Sequence, residues 1–302
     1  MSEPVQRDNP YHVNQASRIY FWPNLMTAGN LFCGFGAIIR CIQARLLAET
    51  GGDYALSHAD LSSTILYTQA VWCILIAVIF DALDGRVARM IGRTSLFGAE
   101  FDSLADVISF GMAPALMVFF LILAPREDYQ WFRDYGWLIA FIYLLCGAVR
   151  LARFNVITHP LLYRGEAESS KDFVGLPIPA AAGTVASMVL LLLNLSANAR
   201  ELRQWALALP FILILVSFLM VSTIRYPSFK QVDWHMKTRL RTAVLAFIIG
   251  VVAWKLHEIA VFFLFLGYIG YGLFAHYQRS VRHAQRRMLR NKVVKKRQET
   301  SE

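Results

Sequence analysis

The chain has 302 residues, 56% of them hydrophobic, with a mean hydropathy of +0.43 and a formal net charge of +9. That is too apolar for an ordinary soluble domain, and several segments approach the roughly 20 apolar residues that a membrane helix needs. Four cysteines (Cys33, Cys41, Cys73, Cys146) lie in apolar stretches without CxxC or Cys/His spacing, so they read as small buried hydrophobes rather than metal ligands.

In chain order, residues 1–22 are polar, carry no cleavable signal-peptide pattern and read as a cytosolic N-terminal segment. Eight apolar segments follow, near 23–46, 64–84, 97–124, 135–157, 177–196, 206–224, 240–255 and 257–277. Only Lys255, His257 and Glu258 interrupt the last two, as a tight turn at the membrane surface would. Residues 278–302 form a basic tail with little periodicity, expected to lie solvated on an anionic leaflet. The predicted fold is all-α: a polytopic integral membrane helical bundle of about eight transmembrane helices, with one membrane domain over 23–277.

Orientation follows from lysine and arginine placement. With the N-terminus in the cytosol, 23 of the 30 basic residues fall on the cytosolic side and seven on the other. Both termini are then cytosolic. The basic tail interleaves no aromatics with its charges, which argues against a nucleic-acid partner.

The stretch DALDGRVARMIGRTSLFGAEFDSLAD, residues 81–106, breaks the apolar pattern at the cytosolic ends of spans two and three. Asp81 and Asp84 are i,i+3 and Asp102 and Asp106 are i,i+4, so each pair shares one helix face. Gly85, Gly92 and Gly98 allow a bend that brings the pairs together. A charged side chain at the centre of a membrane helix costs about 3 kcal/mol on insertion scales, and four converging carboxylates also repel one another. One or two divalent cations would resolve that repulsion, and oxygen-only ligands favour Mg²⁺ or Mn²⁺ over zinc. The alternative is a set of interfacial charges paired with Arg86 and Arg89, which accounts for one aspartate better than for four. Arginine and glycine beside a hard-metal site suggest a phosphate substrate: Gly85 admits a ligand close to the backbone, and Arg89 can hold phosphate oxygens bidentately. Two metals and a carboxylate base suit in-line displacement at phosphorus.

The pattern Asp81-x2-Asp84-Gly85-x2-Ala88-Arg89-x8-Gly98-x3-Asp102-x3-Asp106 resembles the signature of the CDP-alcohol phosphotransferases at every fixed position. The resemblance implies a six-helix core, here with two further C-terminal spans, usually in a homodimer. It implies that Asp81, Asp84 and Asp102 hold one metal and that Asp81, Asp102 and Asp106 contact a second. It assigns Gly85, Ala88, Arg89 and Gly98 to the CDP site and Asp106 to the general base. Asn24 and Thr27, i,i+3 at the start of the first span, would line the CDP pocket; an N-cap and a back-bonded threonine are the alternative.

PNLMTAGNLFCGFGAI from Pro23, CGAVRLARFN from Cys146 and GLPIPAAAG from Gly175 are similar to the membrane-embedded bacterial phosphatidylserine synthases within that family. This implies CDP-diacylglycerol and L-serine as substrates and a bacterial inner membrane with the active site facing the cytoplasm. Glycerol 3-phosphate is an alternative acceptor, since the aspartate motif does not separate acceptors. An ion-coupled transporter is the alternative from another class, although its acids would more often sit near the bilayer midplane. Arg150 and Arg153, one turn apart at the end of span four, are topology determinants or bind an anion, either the serine carboxylate or the donor phosphate. The polar loop from Thr158 to Leu176 could cover the site, and Gly175, Pro177 and Pro179 could be the turn that opens span five.

Overall fold

The computed structural model describes residues 21–50, 63–91, 96–123, 130–158, 172–198, 208–227 and 257–299. Helices α1 (Phe21–Thr50) and α2 (Ser63–Ile91) form the most extensive pair. Helix α3 (Leu96–Asp106) continues without a break through a π-helical segment Val107–Met112, α4 (Ala113–Val118) and a second π-helical segment Phe119–Leu123. Then come α5 (Gln130–Thr158), strand β1 (Asp172–Val174), α6 (Ile178–Asn198), α7 (Ala208–Val221), strand β2 (Arg225–Pro227) and α8 (His257–Glu299).

Among the described residues, six helical segments are long and apolar enough to cross a membrane: Asn24–Ala48, Ser63–Arg86, Phe97–Leu123, Asp134–Ile157, Ile178–Leu195 and Ile259–Val281. Helix α7 is a shorter apolar helix in the expected sixth position. The expected seventh span, 240–255, lies outside the described residues, as does most of the loop between Thr158 and Leu176. The protein is a multi-pass helical membrane protein, with large apolar side chains such as Phe32, Phe35, Phe211, Phe218 and Leu264 turned outward. Its interior combines large side chains such as Phe110, Met117, Tyr143 and Leu213 with alanines (Ala37, Ala70, Ala77, Ala113, Ala181, Ala186) and a few small polar residues. Small residues let helix backbones approach where lipid supplies no hydrophobic drive. Buried hydroxyls satisfy themselves locally: Thr184 donates to the Ala180 carbonyl and Ser217 to that of Leu213.

Two features add detail to the helical membrane bundle that the sequence implied. Strands β1 and β2 pair antiparallel, Phe173 opposite Tyr226, forming a short ribbon between the start of α6 and the end of α7. Gly175 makes this possible: its φ is +81°, a conformation that strains any side chain, and a Cβ there would strike the Met220 carbonyl. Its N–H donates to the Ile224 carbonyl at 2.8 Å. The Gly-Pro cluster is thus a strand-to-helix turn, with α6 starting at Ile178 and the Pro177 carbonyl accepting from the Ala181 N–H. The basic tail, which shows little apolar periodicity, is helical: α8 runs through it to Glu299. Arg, Lys, Gln, Met and Leu are all strong helix formers, so propensity extends the helix where apolar periodicity stops.

The third span holds a proline, Pro114, which has no N–H to offer the Phe110 carbonyl four residues earlier. The Tyr143 hydroxyl of α5, fully buried, donates to that carbonyl at 3.1 Å. One freed backbone acceptor thereby becomes the lock between α5 and the π-helical turn that follows Asp106.

Candidate active site

The last turns of α2 carry Asp81 and Asp84, and α3 carries Asp102 and Asp106. Antiparallel entry of α2 and α3 at the same end brings these acids together. One carboxylate oxygen each from Asp81, Asp102 and Asp106 lies within 4.8 Å of the others. Asp106 is buried, and Asp102 keeps Oδ1 buried without a hydrogen-bond partner among the described residues. Asp84 turns aside. It is buried and accepts a hydrogen bond from the Thr27 hydroxyl of α1, yet stays close enough to Asp81 and Asp102 to act on them electrostatically.

Helix α1 runs along this cluster because Gly34 lets it. A Cβ at Gly34 would sit 2.6 Å from Ser109 Cα, so only glycine allows α1 to touch the π-helical turn after Asp106. Ser109 closes the contact by donating to the Asn30 carbonyl at 3.0 Å. The Asn30 side chain then donates from Nδ2 to Asp106 Oδ1 at 3.0 Å. Asn30 was not among the sequence candidates. The signal was present: Asn24, Thr27 and Asn30 recur every three residues along one face of an otherwise apolar span. Asn24 keeps Nδ2 buried without a partner among the described residues, on the same face as Thr27.

Arg150, near the end of α5, is buried within electrostatic reach of Asp106 and Tyr268, and its Nε has no hydrogen-bond partner among the described residues. Arg153, one turn on, is exposed, so the structure brings only the first of the two arginines to the acids. Ser103 and Asn155 hydrogen-bond across α3 and α5 at 2.9 Å, tying the end of α5 to the acidic turn. Gly85 is exposed, with open space where a side chain would stand, and Gly98 lies on the first turn of α3. The side chains of Ala88 and Arg89, on the last turns of α2, lie outside the described residues.

Residues 20–216, about two thirds of the chain, match the CDP-alcohol phosphatidyltransferase family. The chain belongs to that family, a class of enzymes rather than of ion carriers. Curated relatives narrow the neighbourhood. A CDP-diacylglycerol–serine O-phosphatidyltransferase of Helicobacter pylori is 38% identical over 81% of this chain and 86% of its own. One of the same description from Saccharomyces cerevisiae is 37% identical over 54% of this chain and 51% of its own. An archaetidylserine synthase of Methanothermobacter thermautotrophicus is 42% identical over 51% of this chain and 55% of its own.

The donor set fits a hard divalent cation. Three convergent carboxylate oxygens, one neighbouring carboxylate and a buried, unpartnered Asp102 oxygen make an all-oxygen site, without sulfur or imidazole among the clustered ligands.

Proposed function

We propose that this chain transfers the phosphatidyl group of CDP-diacylglycerol to the hydroxyl of L-serine, giving phosphatidylserine and CMP. The observation that carries the chemistry is the convergence of Asp81, Asp102 and Asp106 on one point. The serine acceptor is supported by the names of relatives that align over most of both chains.

In this reading Asp81, Asp102 and Asp106, with Asp84 beside them, hold Mg²⁺ or Mn²⁺, most simply two ions. Bound there, the cations would offset the carboxylate charge and draw off the negative charge that builds on the donor diphosphate. Gly85, Ala88, Arg89 and Gly98 border the CDP moiety with Asn24 and Thr27; the open face at Gly85 leaves room for it. Asn30 holds Asp106 by one oxygen, which fixes the carboxylate plane and leaves the second oxygen as the base. Asp106 takes the serine hydroxyl proton, the serine oxygen bonds to the β-phosphorus, and the bond from that phosphorus to the bridging oxygen breaks as CMP leaves. Buried Arg150 is the cation suited to an anionic group of a substrate; exposed Arg153 serves orientation in the membrane better.

The charge bias supports a site facing the cytoplasm of a bacterial inner membrane with both termini on that side, and the family resemblance supports a homodimer. The test is an acceptor panel. The purified full-length chain is given CDP-diacylglycerol, Mn²⁺ and either L-serine, glycerol 3-phosphate or inositol phosphate. Phosphatidylserine and stoichiometric CMP are expected from serine alone, with activity abolished by EDTA and restored by Mn²⁺ or Mg²⁺. Preference for glycerol 3-phosphate would refute the acceptor, and activity undiminished by EDTA would refute the metal.

A further inference from the structure

We propose that Tyr226 and Tyr268 join Arg150 in receiving the carboxylate of the acceptor amino acid, which makes these two tyrosines specificity-determining residues. The proposal rests on the serine reading and adds to it the residues that recognise the acceptor.

Tyr226, on β2, is fully buried, and its hydroxyl has no hydrogen-bond partner among the described residues. A buried polar group without a partner costs free energy unless something else satisfies it. Its ring stands 5.8 Å from that of Tyr268 on α8, and Tyr268 is in turn within electrostatic reach of Arg150. Arg150 keeps its own Nε without a partner among the described residues and acts on Asp106. The row Tyr226, Tyr268, Arg150, Asp106 therefore leads from two phenols, through a guanidinium, to the base.

The chemistry of that row selects its ligand. Burial pushes the Tyr226 phenol up to about 12, so it stays protonated and can donate at neutral pH. A phenol within electrostatic reach of a guanidinium, with a second phenol ring 5.8 Å from the first, matches an anionic oxygen group. Two sources could supply one, the acceptor carboxylate and the donor phosphates. Position favours the acceptor. The family match stops at residue 216, so both tyrosines lie beyond the part shared across enzymes that use CDP-linked donors. The 244-residue match to the Helicobacter pylori relative is longer than the family match and necessarily passes beyond residue 216. Arg150 also lies within electrostatic reach of Asp106, so an acceptor held there by its carboxylate would stay near the base. The mounting is firm: β2 pairs with β1, and the Tyr226 ring rests on Gly272 of α8.

Tyr226→Phe and Tyr268→Phe remove the hydroxyls and keep the rings. In the full-length enzyme each is expected to raise the KM for L-serine about tenfold or more, the scale of a hydrogen bond to a charged group. The KM for CDP-diacylglycerol should stay within about twofold. L-Serinamide, which lacks the carboxylate, should compete equally well with serine in both variants and in the parent once the serine KM is allowed for. An unchanged serine KM would overturn the proposal. So would a rise in the CDP-diacylglycerol KM instead, which would move the tyrosines to the donor phosphates. A parallel loss of kcat, of both KM values and of thermal stability would reduce them to structural residues and overturn it too. A parent enzyme that makes no phosphatidylserine would overturn the serine assignment itself, and this proposal with it.

Discussion

The sharpest perturbation of the site is a single methyl group at Gly34, which touches no reacting atom. In Gly34→Ala the new Cβ would lie 2.6 Å from Ser109 Cα, and backbone cannot swing away as a flexible side chain would. To reach the 3.4 Å of ordinary contact, α1 and the turn after Asp106 must part by about 0.8 Å. The Ser109 hydrogen bond to the Asn30 carbonyl and the Asn30 bond to Asp106 both span that gap at 3.0 Å, and neither survives such a shift with good geometry. Overpacking of this kind costs roughly 1–3 kcal/mol, and the lost bonds about 1 kcal/mol each. A displacement of order 1 Å at a reacting group can cost about 10²-fold in rate. The assay is CMP release from CDP-diacylglycerol, run below the measured thermal midpoint so that unfolding does not enter the rate. Gly36→Ala, two residues on, is the control, because a Cβ there meets nothing within 4 Å. A Gly34→Ala enzyme with parental rate and stability, or a Gly36→Ala enzyme equally damaged, would refute the close-approach argument.

Two further outcomes follow from the same geometry. Asp106→Asn should retain CDP-diacylglycerol binding and lose about 10² to 10⁴ in kcat, the usual contribution of a general base; a near-parental kcat would remove Asp106 from that role. Tyr143→Phe should lower stability by about 1–3 kcal/mol, because it strands the Phe110 carbonyl in an apolar interior. Adding Pro114→Ala should recover part of that loss by restoring an N–H four residues from Phe110, read as a non-additive thermal midpoint in the double variant.

What the sequence made legible was set by how local the signal is. Four aspartates between two charge-free apolar runs, spaced to share helix faces, declare themselves within 26 residues, and the structure brings three of their oxygens together. The long apolar spans are equally local, since length and composition alone define them. The turn of Asp84 toward Thr27 depends on which rotamer a helix 57 residues away permits, and spacing along α2 carries no trace of it. Asn30 lay on a readable face but could not be told from an ordinary polar residue until its partner 76 residues on was known. The β1–β2 ribbon pairs two three-residue strands about 50 residues apart, too short for a period-two pattern to emerge.

The same distinction between local and non-local signals separates the two halves of the chemistry. The clustered acids sit on consecutive helices only four residues apart in sequence, so one compact motif encodes them and can be shared by enzymes with different acceptors. Arg150 of α5 is reached electrostatically by Tyr268 of α8, and Tyr268 is neighboured by Tyr226 of β2, elements spread over more than 100 residues. On the proposal above, an acceptor site assembled from distant elements can change by substitution at any of them without disturbing the acidic motif. That is why the aspartate motif identifies the reaction while leaving the acceptor open.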